Sequence, residues 1–383
     1  MNKSKKVLIF SHAYFPNWVG GAEIALKEIT DRIPKNEIEL HLITLGGSEP
    51  KEELLGNIYV HRIKPFGSLS SSGIFHKIAK YLFIYLAFWK AKKLHKKYNF
   101  EIIWSLMATY GGFSALFFKR KYSNIKFLLT LQEGDSKEHI FRRLGIFKNL
   151  YKEIFKRADV VQVISNYLGD FAKDMGYVGI PVVIPNAVDI DLFSREVSEE
   201  EVKNIRNEFT KNNELILVTS SRLVEKNGLE YVIRAMRELP NYVFVILGIG
   251  ELENKLKGLV KNLGLEKRVF FKGFVLHKDL PKYLKASDIF IRPSLSEGLG
   301  NSFLEAMASG LPAIATPVGG IPDFLEENKT GVFCKPKDVE SIISAVKKLE
   351  DNSLQSLIIQ NASIMVREKY TWDKIVIKIK EIL

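Results

Sequence analysis

Two glutamates, Glu297 and Glu305, stand on either side of a turn rich in serine and glycine, seven residues apart in between. After the apolar run 289–291 and the turn comes a short helical pattern. Leu304, Met307 and Ala308 mark its apolar face, and Gly310 and Pro312 end it. Just before the helix, Gly298, Gly300 and the amides of Leu299, Asn301 and Ser302 can converge on one point. Unsatisfied N–H groups and the helix dipole favour negative charge there. An anion-binding turn framed by two hydrogen-bond acceptors is what a phosphorylated sugar requires. The same residues also have a local structural reading. Ser302 and Glu305 have the spacing of a capping box, and Glu297 is compatible with an ordinary loop carboxylate.

Three other stretches follow apolar runs in the same manner. Gly20-Gly21-Ala22-Glu23 opens a helical pattern, so its amides can approach a phosphate closely, although a glycine pair is also a plain turn signal. Arg222 and Lys226 follow the run 215–219. A guanidinium fork and a point charge at that spacing can neutralise a diphosphate, and taken alone each is also an ordinary surface charge. Leu247-Gly248-Ile249-Gly250 begins like a dinucleotide fingerprint, but Glu253 stands where a third glycine belongs, so a tight strand-to-helix turn is the alternative.

These stretches need a scaffold, and the chain alternates short apolar runs with helical patterns almost throughout. Strands are expected at 6–11, 38–45, 58–63, 102–107, 125–131, 159–164 and 182–184, with helices between them, including one over 137–157. A polar segment, 185–213, separates these from a second series at 215–219, 243–247, 269–271, 288–291, 313–315 and 331–333. Strand–helix alternation with β-branched strands predicts parallel sheets covered on both faces. The expected fold is α/β, with two doubly wound Rossmann-like domains facing a central cleft, where ligands sit at the carboxyl ends of strands. The domains are placed at 1–195 and 196–365. An amphipathic helix at the chain's end, within 366–383, is expected to cross back to the first domain.

A chain of 383 residues, 46% hydrophobic and 26% charged, suits two soluble domains. One cysteine, Cys334, excludes an internal disulfide and a cysteine-based zinc site, and fits a reducing, cytoplasmic setting. The net charge of +12 points to an acidic partner. Much of the excess falls in a helical stretch, 74–98, with aromatics through its middle and lysines at its end. Its apolar core, 81–89, is far too short to span a bilayer. It reads either as a core helix with solvated lysines or as a helix lying on an anionic membrane, on the inner face of the cell membrane. Nucleic acid is disfavoured, because no helix-turn-helix, zinc or RNA-binding pattern is present.

Taken together, these motifs resemble the retaining GT-B glycosyltransferases of family 4. Glu297 and Glu305 match that family's E-x7-E motif, Gly20-Gly21 its glycine pair, and Arg222 and Lys226 its R-x3-K pair. Pro185-Asn186-Ala187-Val188-Asp189 is similar to its P-N-G-V-D junction, with Ala187 for glycine. Phe271-Lys272-Gly273-Phe274 resembles its loop against the nucleotide base, and the similarity continues through 306–312 and 316–320. The resemblance implies transfer of a sugar from a nucleotide diphosphate sugar to a glycan or lipid-linked acceptor. Arg222 and Lys226 would hold the diphosphate, with Gly20, Gly21 and the amides from Gly298 to Ser302 completing the cradle. Glu305 would bind the ribose and Glu297 would orient the transferred sugar. The implied reaction retains anomeric configuration and needs neither cofactor nor metal, the nucleotide sugar being a substrate. The leaving phosphate would take the acceptor proton, in the biosynthesis of a polysaccharide or cell-envelope glycan.

One position departs from the family. Gln132 stands where a histidine is frequent, in Thr130-Leu131-Gln132-Glu133-Gly134-Asp135. Glutamine hydrogen-bonds a sugar but does not titrate. Glu133 or Asp135 can share the role, Asp135 can contact the acceptor, and His12 is a further candidate; a local turn at Asp135 is the structural alternative. The competing functions are a nucleotide-sugar epimerase or phosphorylase on the same architecture, and a non-catalytic subunit that binds sugar nucleotides.

Overall fold

A computed structural model describes residues 4–17, 20–68 and 73–383. The chain divides into two compact units, Met1–Asn186 with Trp372–Leu383, and Ala187–Thr371.

The sheet of the first unit contains β1 (Lys5–Phe10), β2 (Ile38–Leu45), β3 (Glu52–Leu55), β4 (Ile58–Ile63), β5 (Ile102–Leu106), β6 (Lys126–Leu131), β7 (Val160–Val163) and β8 (Val182–Val183). Their order is β3-β4-β2-β1-β5-β6-β7-β8, parallel except for the antiparallel pair β3–β4. Val7, Leu8, Ile9 and Phe10 of β1 are all fully buried, as expected for a central parallel strand with helices on both faces. Those helices are α1 (Gly21–Asp31), α2 (Gly73–Tyr98), α3 (Tyr110–Lys121), α4 (Lys137–Leu144), α5 (Lys148–Arg157) and α6 (Asn166–Asp174). The strand order reverses at β1, which lies between β2 and β5. In a doubly wound sheet this reversal opens a crevice at the carboxyl ends of the strands.

Two local expectations fail here. The helix expected over 137–157 is broken at Gly145, whose φ of +50° lies outside the right-handed helical region, so α4 and α5 are separate. The strand β3 was not foreseen, because its sequence, Glu52-Glu53-Leu54-Leu55, carries little strand preference. It forms because Gly56, at φ +57°, turns the chain back onto β4.

The second unit holds α7 (Ile190–Ser194), α8 (Glu199–Phe209), β9 (Leu215–Ser220), α9 (Leu229–Ala235), β10 (Tyr242–Leu247), α10 (Glu253–Asn262), β11 (Val269–Gly273) and α11 (Leu280–Lys285). It continues through β12 (Ile289–Arg292), α12 (Asn301–Ala308), β13 (Ala313–Ala315), β14 (Val332–Phe333), α13 (Val339–Lys348) and α14 (Asn352–Lys369). The sheet order is β11-β10-β9-β12-β13-β14, and every pairing is parallel. The loops leaving β9, β10, β11, β12 and β13 therefore emerge at one edge of the sheet.

The last helix, α15 (Trp372–Ile382), belongs to the first unit. It buries Trp372, Ile375, Val376 and Ile379 on one face, the i, i+3, i+4, i+7 pattern of an amphipathic helix. Lys5 and Lys126 donate to the carbonyls of Leu383 and Ile382 at 3.0 and 2.7 Å, which satisfies acceptors left open at the helix end.

Candidate active site

The stretch around Glu297 is built on a buried arginine. Arg292 ends β12 and is only 6% exposed. Its three guanidinium nitrogens have separate partners: Nε donates to Ser294 Oγ at 3.2 Å, one terminal nitrogen to Ser302 Oγ at 2.7 Å, and the other to Glu297 Oε2 at 2.6 Å. Its guanidinium also lies over the Phe303 ring, 4.6 Å from the centroid. The second oxygen of Glu297 accepts from the Gly298 amide at 3.0 Å. Glu297 is thus an anchored carboxylate rather than an unconstrained loop residue. A carboxylate offers about four acceptor positions, so two remain for a ligand.

The capping box expected at Ser302 and Glu305 does not form. Gly300, with φ +100°, is the N-cap of α12, and no side chain caps it. The helix therefore begins before Ser302, whose hydroxyl faces Arg292 instead. Glu305 Oε1 lies 3.0 Å from His277 Nε2. Leu299 buries its side chain, which leaves its backbone as what it can offer a ligand.

The basic pair is tied to this corner. Leu295 N–H donates to the Lys226 carbonyl at 2.6 Å, and Asn227 Nδ2 donates to the Arg222 carbonyl, also at 2.6 Å. Gly228, at φ +67°, lies so close to Pro293 that a Cβ would overlap its carbonyl oxygen. The loop 247–252 braces the pair from the other side. Leu223 N–H donates to Ile249 O and Leu252 N–H to Leu223 O, each at 3.0 Å. A Cβ on Gly248 would collide with the Ser221 carbonyl. The glycines of Leu247–Gly250 therefore form a tight turn that positions Arg222. Gly273 ends β11 with φ +80° and accepts from the Gly248 amide at 2.7 Å. On the far side, Gly319 sits against the Glu297 carbonyl, and Thr316 Oγ1 donates to Ser294 O.

The remaining candidates lie in the first unit. Gly20 is the N-cap of α1, and Gly21 is its first residue. The Gly20 amide donates to the buried Glu23 carboxylate at 2.8 Å, so this donor is already engaged. Gln132 follows β6, and its side-chain oxygen accepts from Asn186 Nδ2 at 3.0 Å. Glu133 points inward, accepting from the Ala108 and Gln132 amides at 2.9 and 3.0 Å. Burial raises its pKa against the effect of those amides. From the loop after β6 it thus holds the Ala108 amide of the β5–α3 turn. Asp135 Oδ2 lies 3.9 Å from Arg143. His12 follows β1 and stacks obliquely on Tyr110, with ring centroids 4.8 Å apart.

Sequence reasoning missed two residues that hold the glutamates. For Arg292, a charged residue closing an apolar strand five positions before a glutamate was the available signal. His277 lies in a loop 28 residues before Glu305, and nothing in the local pattern marks it.

Two family models match, one in each half of the chain: Glycosyltransferase Family 4 over residues 19–192 and Glycosyl transferases group 1 over residues 201–365. An uncharacterized glycosyltransferase of Methanocaldococcus jannaschii is 27% identical over 97% of this chain and 95% of its own. The UDP-Gal:alpha-D-GlcNAc-diphosphoundecaprenol alpha-1,3-galactosyltransferase of Escherichia coli is 30% identical over 52% of this chain and 53% of its own. Among solved structures, sucrose-phosphate synthase from Thermosynechococcus elongatus superimposes with a TM-score of 0.85, covering 99% of this chain and 98% of that one at 20% identity. With two Rossmann-like sheets, a C-terminal helix returned to the first unit and both family models matched, the chain belongs to the family 4 glycosyltransferases of GT-B architecture.

Proposed function

We propose that this protein moves a hexosyl group from a nucleotide diphosphate sugar to a hydroxyl of a glycan or lipid-linked acceptor, with retention of configuration and without a metal. The observation that supports this reading most is the anchoring of Glu297 beside the amino end of α12. Both of its oxygens are oriented, by Arg292 and by the Gly298 amide, with acceptor capacity left for sugar hydroxyls. Fixing the sugar in one orientation is a large part of what such a site contributes. Arg222 and Lys226 meet the negative charge that grows on the departing diphosphate, and the first amides of α12 add to this. Glu305 holds the ribose hydroxyls, and its contact with His277 sets its direction. A leaving phosphate oxygen takes the proton of the acceptor hydroxyl, so no protein nucleophile is needed. Gln132 and Asp135 contact the sugars as hydrogen-bonding groups. The E. coli relative, whose name gives a UDP-galactose donor and a diphospholipid acceptor, favours this substrate class.

The acceptor side involves α2. This helix buries Ala79, Phe83, Ala87, Ala91 and Leu94 and exposes Ile74, Ile78, Tyr81, Tyr85 and Trp89. Exposed aromatics flanked by lysines suit the surface of an anionic bilayer. Among the described residues, no helix is long and apolar enough to cross a membrane. The proposal is peripheral contact at the inner face of the cell membrane, supported by this exposed aromatic and basic face. More protein should sediment with vesicles of phosphatidylglycerol than of phosphatidylcholine; equal sedimentation with both counts against it.

The catalytic reading is tested by two variants. Arg222→Ala with Lys226→Ala is expected to weaken donor binding by about tenfold or more, as measured by calorimetry. Glu297→Gln keeps an acceptor for Arg292 yet should lower transfer by about 100-fold, with nucleotide affinity retained. Transfer at the parental rate in Glu297→Gln would remove the role given to that residue. Incubating donor without acceptor separates transfer from epimerisation, since an epimerase isomerises the donor alone.

A further inference from the structure

We propose that Arg62 is a positioning residue for the glycine turn: with Glu53 as its counter-ion, it fixes the loop after β1 that carries the chain into Gly20-Gly21. The inference rests on the transferase reading only for what that turn binds, the phosphates of the donor. Arg62 lies near the end of β4, and its side chain is 1% exposed. A cation so deeply buried needs partners for its donors. Nε donates to Glu53 Oε1 at 2.9 Å. One terminal nitrogen reaches both that oxygen and the Phe15 carbonyl, the latter at 2.7 Å. Glu53 belongs to β3, the strand paired in a hairpin with β4. The rigid, planar fork thus serves the hairpin and the β1–α1 loop together.

The described part of the loop, 11–17, is tied down at both ends. Ser11 N–H donates to Ile43 O at 3.2 Å and Leu45 N–H to His12 O at 3.4 Å, so the loop starts along the end of β2. Tyr14 is 1% exposed and meets the Phe15 ring edge-on, with centroids 5.5 Å apart. Lys27 Nζ lies 5.9 Å from the centroid of the Phe15 ring. Lys27 belongs to α1, the helix that Gly20 caps and Gly21 opens. Phe15 is therefore held at its carbonyl by Arg62 and met at its ring by the helix behind the glycines. Gly46, just past β2, leaves room for the arginine: a Cβ there would come within 2.8 Å of both Cβ and Cδ of Arg62. A charge-assisted bond to a carbonyl five residues before Gly20 restricts where the turn's amides point. A brace for the hairpin alone would need only Glu53; the shared nitrogen ties the pair to the loop.

Amide hydrogen exchange over 11–21 in the full chain, read by mass spectrometry, follows the loop without turnover. Arg62→Gln removes the bond to Phe15 and is expected to speed exchange there about tenfold or more. Binding of uridine or guanosine diphosphate, measured by calorimetry, should weaken by about the same factor. Glu53→Gln breaks the ion pair but keeps an acceptor oxygen for Arg62. It should lower the unfolding midpoint of the first unit as Arg62→Gln does, with a much smaller effect on exchange and affinity. Gly46→Ala, which displaces Arg62 and leaves both charges in place, should act like Arg62→Gln. Unchanged exchange in Arg62→Gln, or an equal rise in Glu53→Gln, overturns the proposal and leaves Arg62 as a brace of the hairpin. Faster exchange with undiminished diphosphate affinity also overturns it, because the loop is then held without serving the turn. A parental chain that binds neither diphosphate sinks the transferase reading instead, and the exchange comparison alone then decides the role of Arg62.

Discussion

The Arg292 corner of the second unit and the His12 corner of the first treat charge in opposite ways. In the second unit the buried guanidinium has a partner for each nitrogen, and its counter-ion is Glu297. In the first, His12 packs on Tyr110 at 4.8 Å; burial, and then its positive neighbours Lys80, His76 and Arg143, keep its imidazole neutral, and Arg143 lies 3.9 Å from Asp135. A pair satisfied from within orients a carboxylate before any ligand arrives.

The largest break in this comparison is expected from Arg292→Ala. It removes the cation from a nearly buried pair, with side chains 7% and 15% exposed, and leaves Glu297 and two serines without their donor. Loss of one partner from such a pair costs about 3–5 kcal/mol, measurable as a lower denaturation midpoint of the second unit. Arg292→Lys should recover only part of it, because an ammonium cannot reach three separated acceptors in one plane. A midpoint unchanged by Arg292→Ala would mean that the pair contributes little.

A smaller loss is expected from Gly319→Ala. Gly319 has φ +57°, and a Cβ there overlaps the Glu297 carbonyl. Strain of this kind costs about 1–3 kcal/mol. Because the relief must come from moving the Glu297 backbone, sugar transfer should fall further than stability does. Equal, small losses in both would show that Glu297 tolerates displacement.

The mildest test uses pH. The first unit buries two histidines, His41 and His61. His41 Nδ1 lies 3.0 Å from His61 Nε2, and burial first, then the positive field of His41, lowers the His61 pKa to about 4. Burial also lowers that of His41, against the hydrogen bond to Glu39. A folded pKa below the unfolded value means that the unfolded chain binds the proton more readily. Stability is then fully present above about pH 6.5 and is lost as the pH falls towards 4. The first unit should therefore show a falling unfolding midpoint across that window, and His61→Phe should flatten it. The same slope in the variant would assign the acid sensitivity elsewhere.

Much of the fold was legible because it repeats. Apolar strand runs at 7–10, 102–106, 127–131 and 242–247 carry the parallel-sheet signal directly, and the glycine and basic motifs follow strands as a doubly wound fold requires. The hairpin at Glu52–Leu55 and the break at Gly145 were not legible. One depends on pairing with a neighbour and the other on a single left-handed residue. Arg222, Lys226 and Glu297 stand out in the sequence because each follows an apolar strand run, and the roles expected of them come from the family resemblance. What they touch could not be named.

Glu297 and Glu305 show where that boundary lies. The sequence by itself determined that two carboxylates flank a glycine turn at the start of a helix, since turn residues and apolar periodicity are local properties. Only the tertiary structure decided what the turn does with them. Gly300 adopts a left-handed conformation that starts α12 before Ser302, which undoes the capping box and turns the serine hydroxyl to Arg292. Glu297 then finds the same arginine, and Glu305 finds His277 from a distant loop. Hydrogen-bond partners are set by which loops the parallel strands bring to one edge of the sheet, and that is a property of the folded chain rather than of any segment within it.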